Sequence, residues 1–283
     1  MLTMKNKLLL LAASLATAVQ VLGGSITIKG SDTMVVLAQK WAEAYMQKTP
    51  GAKVQVTGGG SGIGFAALQN GQTDLATASR PIKAKETENC IKSFGKRPTE
   101  YKVALDGITI YVNPVNTVTQ LTVDELEGIY TGKIKNWKDV GGPDIPITVY
   151  SRENSSGTYE FFKEHVLKGK DFAASAQTQQ GTAGVVQAVM KDKGGIGYGG
   201  VGYASGVNRL KIAKTKGGTY FEPSEEAVLA ESYPLWRYLY IYVNPAVNTG
   251  EVSSLLKWIR SDEGQKLVSE ASYYPLPASL RAK

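Results

Sequence analysis

The chain has 283 residues, with 32 Lys and Arg against 25 Asp and Glu, and a formal net charge of +7. It has one cysteine, Cys90, and one histidine, His165, which argues against zinc and iron–sulfur centres, a disulfide scaffold and a histidine-based catalytic triad. The lysines are scattered along the chain, so nucleic acid is not indicated as a partner, and the mild positive field favours a small anion.

The N-terminal segment is typical of a secretory signal. Two lysines precede an apolar run at residues 8–19, which is too short to span a bilayer comfortably. Small residues follow, and we expect cleavage after Gly23, or alternatively after Ala18, so that residues 1–23 form the signal peptide. No cysteine lies near this point, so no lipid anchor is expected. The mature protein is expected to be exported, soluble, periplasmic and monomeric.

The first strand and helix after the signal are joined by a polar turn. Residues 25–29 alternate apolar and polar side chains, as a strand does, and a helix is predicted to run from the next turn to about residue 48. Ser31, Asp32 and Thr33 form this turn. They serve equally well as a helix cap or as ligands of a small molecule.

Two further strands also end in polar groups. The glycine-rich segment 58–64 contains Ser61 and precedes a helix, an arrangement that suits a phosphate group. It lacks the Gly-Lys-Ser/Thr ending of a nucleotide P-loop, so a small oxyanion fits better, with a flexible tight turn as the alternative. The short strand at 74–78 ends in Ser79 and Arg80. Ligands of open α/β sheets bind at the carboxyl ends of strands, where all these groups lie.

The strongest candidate is the segment 151–158, Ser-Arg-Glu-Asn-Ser-Ser-Gly-Thr, between a β-rich run and an amphipathic helix. A helix N-terminus exposes unpaired N–H groups and a partial positive charge. Arg152 can hold an oxyanion through two parallel hydrogen bonds. Ser156 and Thr158 add hydroxyl donors, and Gly157 admits a ligand close to the backbone. The alternative is an ordinary capped helix with a surface arginine.

Two long apolar strands end in the same four residues, Tyr-Val-Asn-Pro, at 111–114 and 242–245. We interpret these strands as the two crossovers between two lobes, with chance repetition as the alternative. On this interpretation lobe one comprises residues 25–112 and 244–283, and lobe two comprises residues 113–243. The candidate loops then divide between the lobes, and a ligand held by both would close them like a hinge.

In this order, the motifs resemble the phosphate-binding subunits of bacterial ABC transporters over nearly all of the mature chain. The segments that carry the resemblance are 30–33, 58–64, 78–80, 121–137, 151–158, 195–203 and both Tyr-Val-Asn-Pro strands. The resemblance implies an α/β, two-lobed periplasmic binding protein of type II, in which each lobe is a mixed sheet flanked by helices and two hinge strands join the lobes. It also implies inorganic phosphate as the ligand, an ABC permease as the partner, no cofactor and no catalysis.

The matched motifs imply a set of phosphate ligands, and the polar turns beside them add further candidates. The implied ligands are Thr33, Ser61, Arg152, Ser156, Gly157 and Thr158, and the additional candidates are Ser31, Asp32, Ser79 and Arg80.

One position departs from the family pattern. Many relatives carry an aspartate where this chain has Arg80, and that aspartate resembles an acceptor for the proton of hydrogen phosphate. Fully ionised sulfate has no such proton and would face a bare carboxylate in a dry site. We hypothesise that Asp32 supplies the acceptor in this chain and that Arg80 and Arg152 hold the anion together.

Three alternatives stay open at this stage. The same scaffold could take another oxyanion, such as sulfate, molybdate or tungstate. A secreted phosphatase acting through Ser61 or Ser156 would need a base or a metal ion that the sequence does not indicate. An exported adhesion or sensing module could reuse the fold, since a fold does not determine a role.

Overall fold

The computed structural model describes residues 25–247 and 250–281. The predicted signal peptide at residues 1–23 lies outside the described residues. Within the described ranges, no helix is both long enough and apolar enough to cross a bilayer.

Strands and helices alternate along the first part of the chain, as the sequence predicts. The strands are β1 (Ser25–Gly30), β2 (Lys53–Thr57), β3 (Leu75–Ala78), β4 (Thr99–Val112), β5 (Gln120–Thr122), β6 (Thr148–Arg152), β7 (Gln177–Gln179), β8 (Gly195–Gly200), β9 (Asn208–Arg209), β10 (Lys211–Ala213) and β11 (Trp236–Val243). The helices are α1 (Val35–Lys48), α2 (Ser61–Gln69), α3 (Ala84–Phe94), α4 (Val123–Tyr130), α5 (Gly157–His165), α6 (Gly181–Lys191), α7 (Glu225–Leu229), α8 (Gly250–Ile259), α9 (Asp262–Glu270) and α10 (Ala278–Arg281), with short 3₁₀ turns at Asp32–Met34, Trp137–Val140 and Val201–Tyr203.

The strands form two mixed sheets that share β4. The order is β2-β1-β3-β11-β4-β8-β6-β7, with β9 also on β4, while β5 and β10 pair separately. β1 is parallel to β2 and β3, β6 is parallel to β7 and β8, and β11 runs antiparallel to its neighbours. One core fills lobe one around Trp41 and Leu239, and another fills lobe two around Tyr130, Phe162 and Tyr198. This arrangement confirms the predicted two-lobed α/β fold.

The strand β4 belongs to both lobes. Its first part pairs with β11 in lobe one, and its last part, from Ile108, pairs with β8 in lobe two. β11 also pairs with β3, so it lies in the sheet of lobe one. We therefore propose that the chain passes between the lobes at residues 107–108 and 235–236, earlier than the boundaries after residues 112 and 243 that the sequence suggested.

The repeated Tyr-Val-Asn-Pro segments lie at the outer ends of these two strands, where each asparagine anchors a helix of its own lobe. The Asn113 amide donates to the carbonyls of Val189 and Met190, both at 3.0 Å, at the end of α6. The Asn244 amide donates to the carbonyl of Thr73 at 3.1 Å, in the turn after α2. Both side-chain carbonyls accept a hydrogen bond from the backbone two residues later. The repeat therefore reflects one structural role that is used twice.

Glycines in β8 let a helix pack directly on the sheet of lobe two. A Cβ atom at Gly197 would lie 2.4 Å from Val185 of α6, and one at Gly199 would lie 2.5 Å from the Thr182 side chain. Real Cβ contacts are not this short, so only glycine allows α6 to approach so closely. This packing brings Thr182 to the carboxyl end of β6, where Arg152 lies.

We expect Asn244→Ala to lower the free energy of unfolding by about 1–3 kcal/mol, because a buried carbonyl loses its donor. Asn113→Ala should have a similar effect in lobe two. The measurement is a urea titration followed by circular dichroism, with the exposed Asn154→Ala as the control. Unchanged stability in both buried variants would contradict the structural role given to the repeat.

Candidate functional site

Three helix N-termini meet between the lobes. The turn Asp32–Met34 leads into α1, α2 begins at Ser61, and α5 of the opposite lobe begins at Gly157. The hydroxyls of Thr33 and Thr158 lie 2.8 Å apart, and a Cβ atom at Gly157 would lie 2.3 Å from the Ser61 hydroxyl. Parallel pairing of β1 with β2 and β3 brings the turns after these strands to the same edge of the sheet. The positive ends of three helix dipoles therefore point at one place.

Six predicted hydroxyl groups lie around this point and are almost completely buried. They belong to Ser31, Thr33, Ser61, Ser79, Ser156 and Thr158, each with 0–2% exposure. The Ser61 hydroxyl accepts from the Ser79 amide at 3.1 Å, and the Ser156 hydroxyl caps α5 by accepting from the Tyr159 amide at 3.2 Å. Buried hydroxyls need partners. Such a group suits a ligand that presents many acceptor atoms.

Arg152, the last residue of β6, is 1% exposed and lies beside this group. One terminal nitrogen donates to Thr182 at 2.8 Å, and the other donates to Asp32 of lobe one at 2.9 Å. The Glu153 carboxylate accepts from Nε at 3.0 Å and from Nη2 at 2.7 Å. Burial opposes ionisation of Glu153, but the hydrogen bonds and the charge of Arg152 hold its pKa below the ordinary value.

Asp32 connects the two lobes. Its carboxylate accepts from the Gly59 amide at 2.8 Å and from Arg152, and its backbone carbonyl accepts from the Tyr203 hydroxyl at 2.7 Å. Burial raises the pKa of the Asp32 carboxyl, against the opposing effects of the Gly59 amide and Arg152, while neighbouring Glu153 raises it further. The Asp32 carboxyl therefore takes up a proton at a higher pH than an ordinary aspartate does.

Arg80, which the sequence suggested as a second anion-holding arginine, is engaged by a carboxylate of its own lobe. Its terminal nitrogens donate to both carboxylate oxygens of Glu86, each at 2.8 Å, and its guanidinium lies 4.9 Å from the centre of the Phe65 ring. Among the described residues, it makes no hydrogen bond to any of the other nine predicted site residues. Glu86 takes this position because it lies in the first turn of α3, where it also accepts from the Lys83 amide at 2.8 Å.

A second arginine does reach the site, and sequence reasoning missed it. Arg237 of β11 is 4% exposed and donates to the Ser79 carbonyl at 2.9 Å and to the Thr158 hydroxyl at 3.0 Å. It also donates twice to Asp106 of β4, at 2.9 and 2.7 Å. Asp106 is fully buried, and its other oxygen accepts from the Val201 amide at 3.0 Å.

The missed residues had a sequence signal. Asp106 and Arg237 are each a charged residue inside a long apolar strand, and they lie directly opposite each other in the β4–β11 register. A charge buried in an apolar strand needs a partner, so two charges at facing positions are the signal for this pair. Thr182 lies in the segment Gly-Thr-Ala-Gly at 181–184, a further strand-to-helix turn of the kind that carries the predicted ligands.

Backbone contacts also join the lobes around the site. The Gly62 amide donates to the Ser155 carbonyl at 2.9 Å, and the Ser155 hydroxyl donates to the Gly59 carbonyl at 3.0 Å. Gly60 has a φ of +99°, and a Cβ atom there would lie 2.5 Å from the Ser155 carbonyl oxygen. The glycine-rich turn is therefore needed for the close approach of the lobes.

Comparison with known proteins places this chain in a family. A model of the PBP superfamily domain matches residues 15–263. The phosphate-binding protein PstS of Pseudomonas aeruginosa is 34% identical over 276 residues, which cover 92% of this chain and 85% of that protein. PstS of Staphylococcus epidermidis is 37% identical over 264 residues, which cover 90% of this chain and 80% of that protein.

Solved structures agree with these matches. A putative phosphate ABC transporter substrate-binding protein from Clostridium perfringens, with bound phosphate, superposes with a TM-score of 0.82 at 30% identity, covering 90% of this chain and 100% of that chain. An ABC-type phosphate transport receptor from Vibrio cholerae superposes with a TM-score of 0.71 at 30% identity, covering 89% of this chain and 100% of that chain. The chain therefore belongs to the PstS family of phosphate-binding proteins within the PBP superfamily.

Proposed function

We propose that this protein binds inorganic phosphate between its lobes and presents it to the permease of an ABC transporter. The observation that carries the proposal is the convergence of three helix N-termini, buried hydroxyls and two buried arginines from both lobes. Export through the signal peptide predicted at residues 1–23 belongs to this proposal, because the permease would receive the ion from outside the cytoplasm.

The proposed ligand set keeps most of the predicted residues and changes the second arginine. Arg152 and Arg237 supply the guanidinium groups, with Ser31 and Ser79 beside them and Asp32 as the acceptor. The remaining donors are Thr33, Ser61, Ser156, Gly157 and Thr158. Arg80 is left out because Glu86 already engages both of its terminal nitrogens.

The protein acts by capture and not by reaction. In the open form the helix N-termini and arginines face water, and the ion exchanges its hydration shell for fixed donors as the lobes close. Because these donors are held in place by the fold before the ion arrives, little ordering is required on binding. The closed form then offers surfaces of both lobes to the permease at once.

The charges around the site favour phosphate over sulfate. Both arginines already have carboxylate partners, namely Glu153 and Asp32 for Arg152 and Asp106 for Arg237. The arginine charges are therefore largely compensated, and binding depends on hydrogen bonds rather than on net attraction. A protonated phosphate can donate to an ionised Asp32, whereas sulfate would bring an unprotonated oxygen to a carboxylate.

A phosphatase is not favoured by the geometry. Among the described residues, the hydroxyls of Ser61 and Ser156 have no basic side chain within hydrogen-bonding distance, which a nucleophilic serine needs. His165 is exposed and stacks on Phe161, where its Nδ1 lies 3.0 Å from the Phe161 carbonyl. Neither serine is thus equipped for attack.

Calorimetric titration of the mature protein, stripped of bound anion, tests the proposal. Phosphate should bind at one site with micromolar or tighter affinity, about −8 kcal/mol or better, and sulfate should give no signal.

Arg237→Lys should weaken phosphate binding about tenfold or more, because lysine cannot reproduce the planar fork of donors. The exposed Arg209→Lys serves as the control. In the parent protein, comparable sulfate binding would move the assignment to another oxyanion, and no binding of either ion would refute the proposed function.

Gly157→Ala should weaken phosphate binding by about 100-fold, since the new methyl group would lie 2.3 Å from the Ser61 hydroxyl and 2.8 Å from the Ser79 hydroxyl. Both contacts cross between the lobes, so the folded lobes would be kept apart. Gly184→Ala is the matched control, because a Cβ atom there comes no closer than 3.6 Å to its neighbours. Equal affinities for the two variants would show that the lobes do not close at this contact.

Asp32→Asn should raise sulfate affinity, because the repelling carboxylate is replaced by a neutral amide. Lowering the pH from 7 to 5 should act in the same direction on the unmodified protein. The raised pKa of Asp32 means that it takes up a proton at a higher pH than an ordinary aspartate, whose pKa is about 4. Sulfate itself does not titrate in this range, so its binding reports on the protein. Sulfate affinity that is independent of both changes would exclude Asp32 as the selective group.

A further inference from the structure

A second set of charged contacts joins the lobes outside the anion site. Glu160 lies in the first turn of α5 in lobe two, with its side chain 26% exposed. Its carboxylate forms an ion pair with Lys83 and lies 3.6 Å from the Nε atom of Arg80. Arg80 and Lys83 both belong to the segment between β3 and α3 in lobe one. Neither contact involves a residue of the proposed phosphate ligand set.

Contacts within lobe one fix the side chain of Arg80 in position for this contact. Its guanidinium donates two hydrogen bonds to Glu86 and a third to the Pro81 carbonyl at 3.0 Å and lies over the ring of Phe65, and its side chain is only 8% exposed. The Nε atom is buried and has no hydrogen-bond partner among the described residues. The facing charge is the carboxylate of Glu160, slightly beyond hydrogen-bonding distance.

We propose that Glu160, with Arg80 and Lys83, forms a latch that stabilises the closed arrangement of the lobes and so slows the release of the bound ion. These three are positioning residues. The latch is coupled to the site through α5, because Glu160 follows Gly157, the first residue of this helix, by less than one turn. Movement of the helix N-terminus onto the ion therefore also brings Glu160 to its partners.

The latch also explains why an arginine suits position 80. A guanidinium has enough donors to bond Glu86 with its terminal nitrogens and still present Nε to a third group. One side chain thereby links a helix of its own lobe to a helix of the other. Since the Glu160 pair is partly exposed, its effect should be modest and should fall as salt screens the charges.

The test compares Glu160→Gln with Glu164→Gln. Glu164 lies one turn later on α5, is exposed, and takes part in no ion pair within the described ranges, so its substitution makes the same change of charge on the same helix. The lobe separation is measured between spin labels at Gln39→Cys and Gln187→Cys, which are exposed on α1 and α6, in a Cys90→Ser background. Distances are recorded without ligand and with inorganic phosphate, and phosphate dissociation is followed by stopped flow.

Glu160→Gln should move the ligand-free distances toward longer values and speed phosphate dissociation about three- to fivefold, and both effects should disappear near 1 M salt. The double variant Glu160→Gln with Lys83→Gln should change the lobe distance and the dissociation rate by less than the sum of the two single changes. Glu164→Gln should behave like the parent protein.

The latch is overturned if the two glutamine variants give the same distances and dissociation rates. The dissociation part of the test rests on the proposed function, whereas the ligand-free distances do not. A parent protein that fails to bind phosphate would refute the proposed function, and the distances without ligand would still decide whether the latch exists.

Discussion

The buried ion pair between Asp106 and Arg237 is the interaction on which the arrangement of the lobes depends. Taking a carboxylate and a guanidinium out of water costs several kcal/mol for each ion, so such a pair persists only when its geometry and further hydrogen bonds offset the cost. Here two N–H groups of Arg237 donate to one oxygen of Asp106, and the Val201 amide donates to the other. Two further Arg237 donors reach Ser79 of lobe one and Thr158 of lobe two. The Arg237 side chain therefore connects the strands β4 and β11 and contacts both lobes at the site.

Local signals were sufficient to predict most of the residues that cluster at the candidate site. The polar turns after β1 and β2 lead into helices, and the turn after β3 carries Ser79, so the position of these three turns at one sheet edge follows from the parallel pairing of β1 with its neighbours. Capping residues and glycines favour helix starts and tight turns through the local backbone, so their effect can be predicted from neighbouring residues alone. The fold class and the convergence of the turns could therefore be predicted without knowledge of long-range contacts.

The second arginine of the proposed ligand set could not be predicted in the same way. Arg80 follows a strand in a polar turn, which is typical of a ligand, whereas Arg237 lies within an apolar strand, which is typical of a structural residue. Their roles are decided by the partners they meet, Glu86 for one and Asp106 for the other, and the second contact spans 131 residues. The lobe boundaries pose the same difficulty, because one strand pairs with two sheets along its length and no local signal marks the change.

The close contact at Gly157 has a consequence for which phosphorus compounds the protein can retain. The backbone of lobe two approaches the hydroxyls of Ser61 and Ser79 so closely that even a methyl group on Gly157 would collide with them. An esterified phosphate carries a carbon substituent on one oxygen, and this substituent would have to occupy the seam where the lobes meet. For the phosphate site proposed above, closure would therefore select by size: the free ion would permit closure, whereas a sugar phosphate or a nucleotide would hold the lobes open.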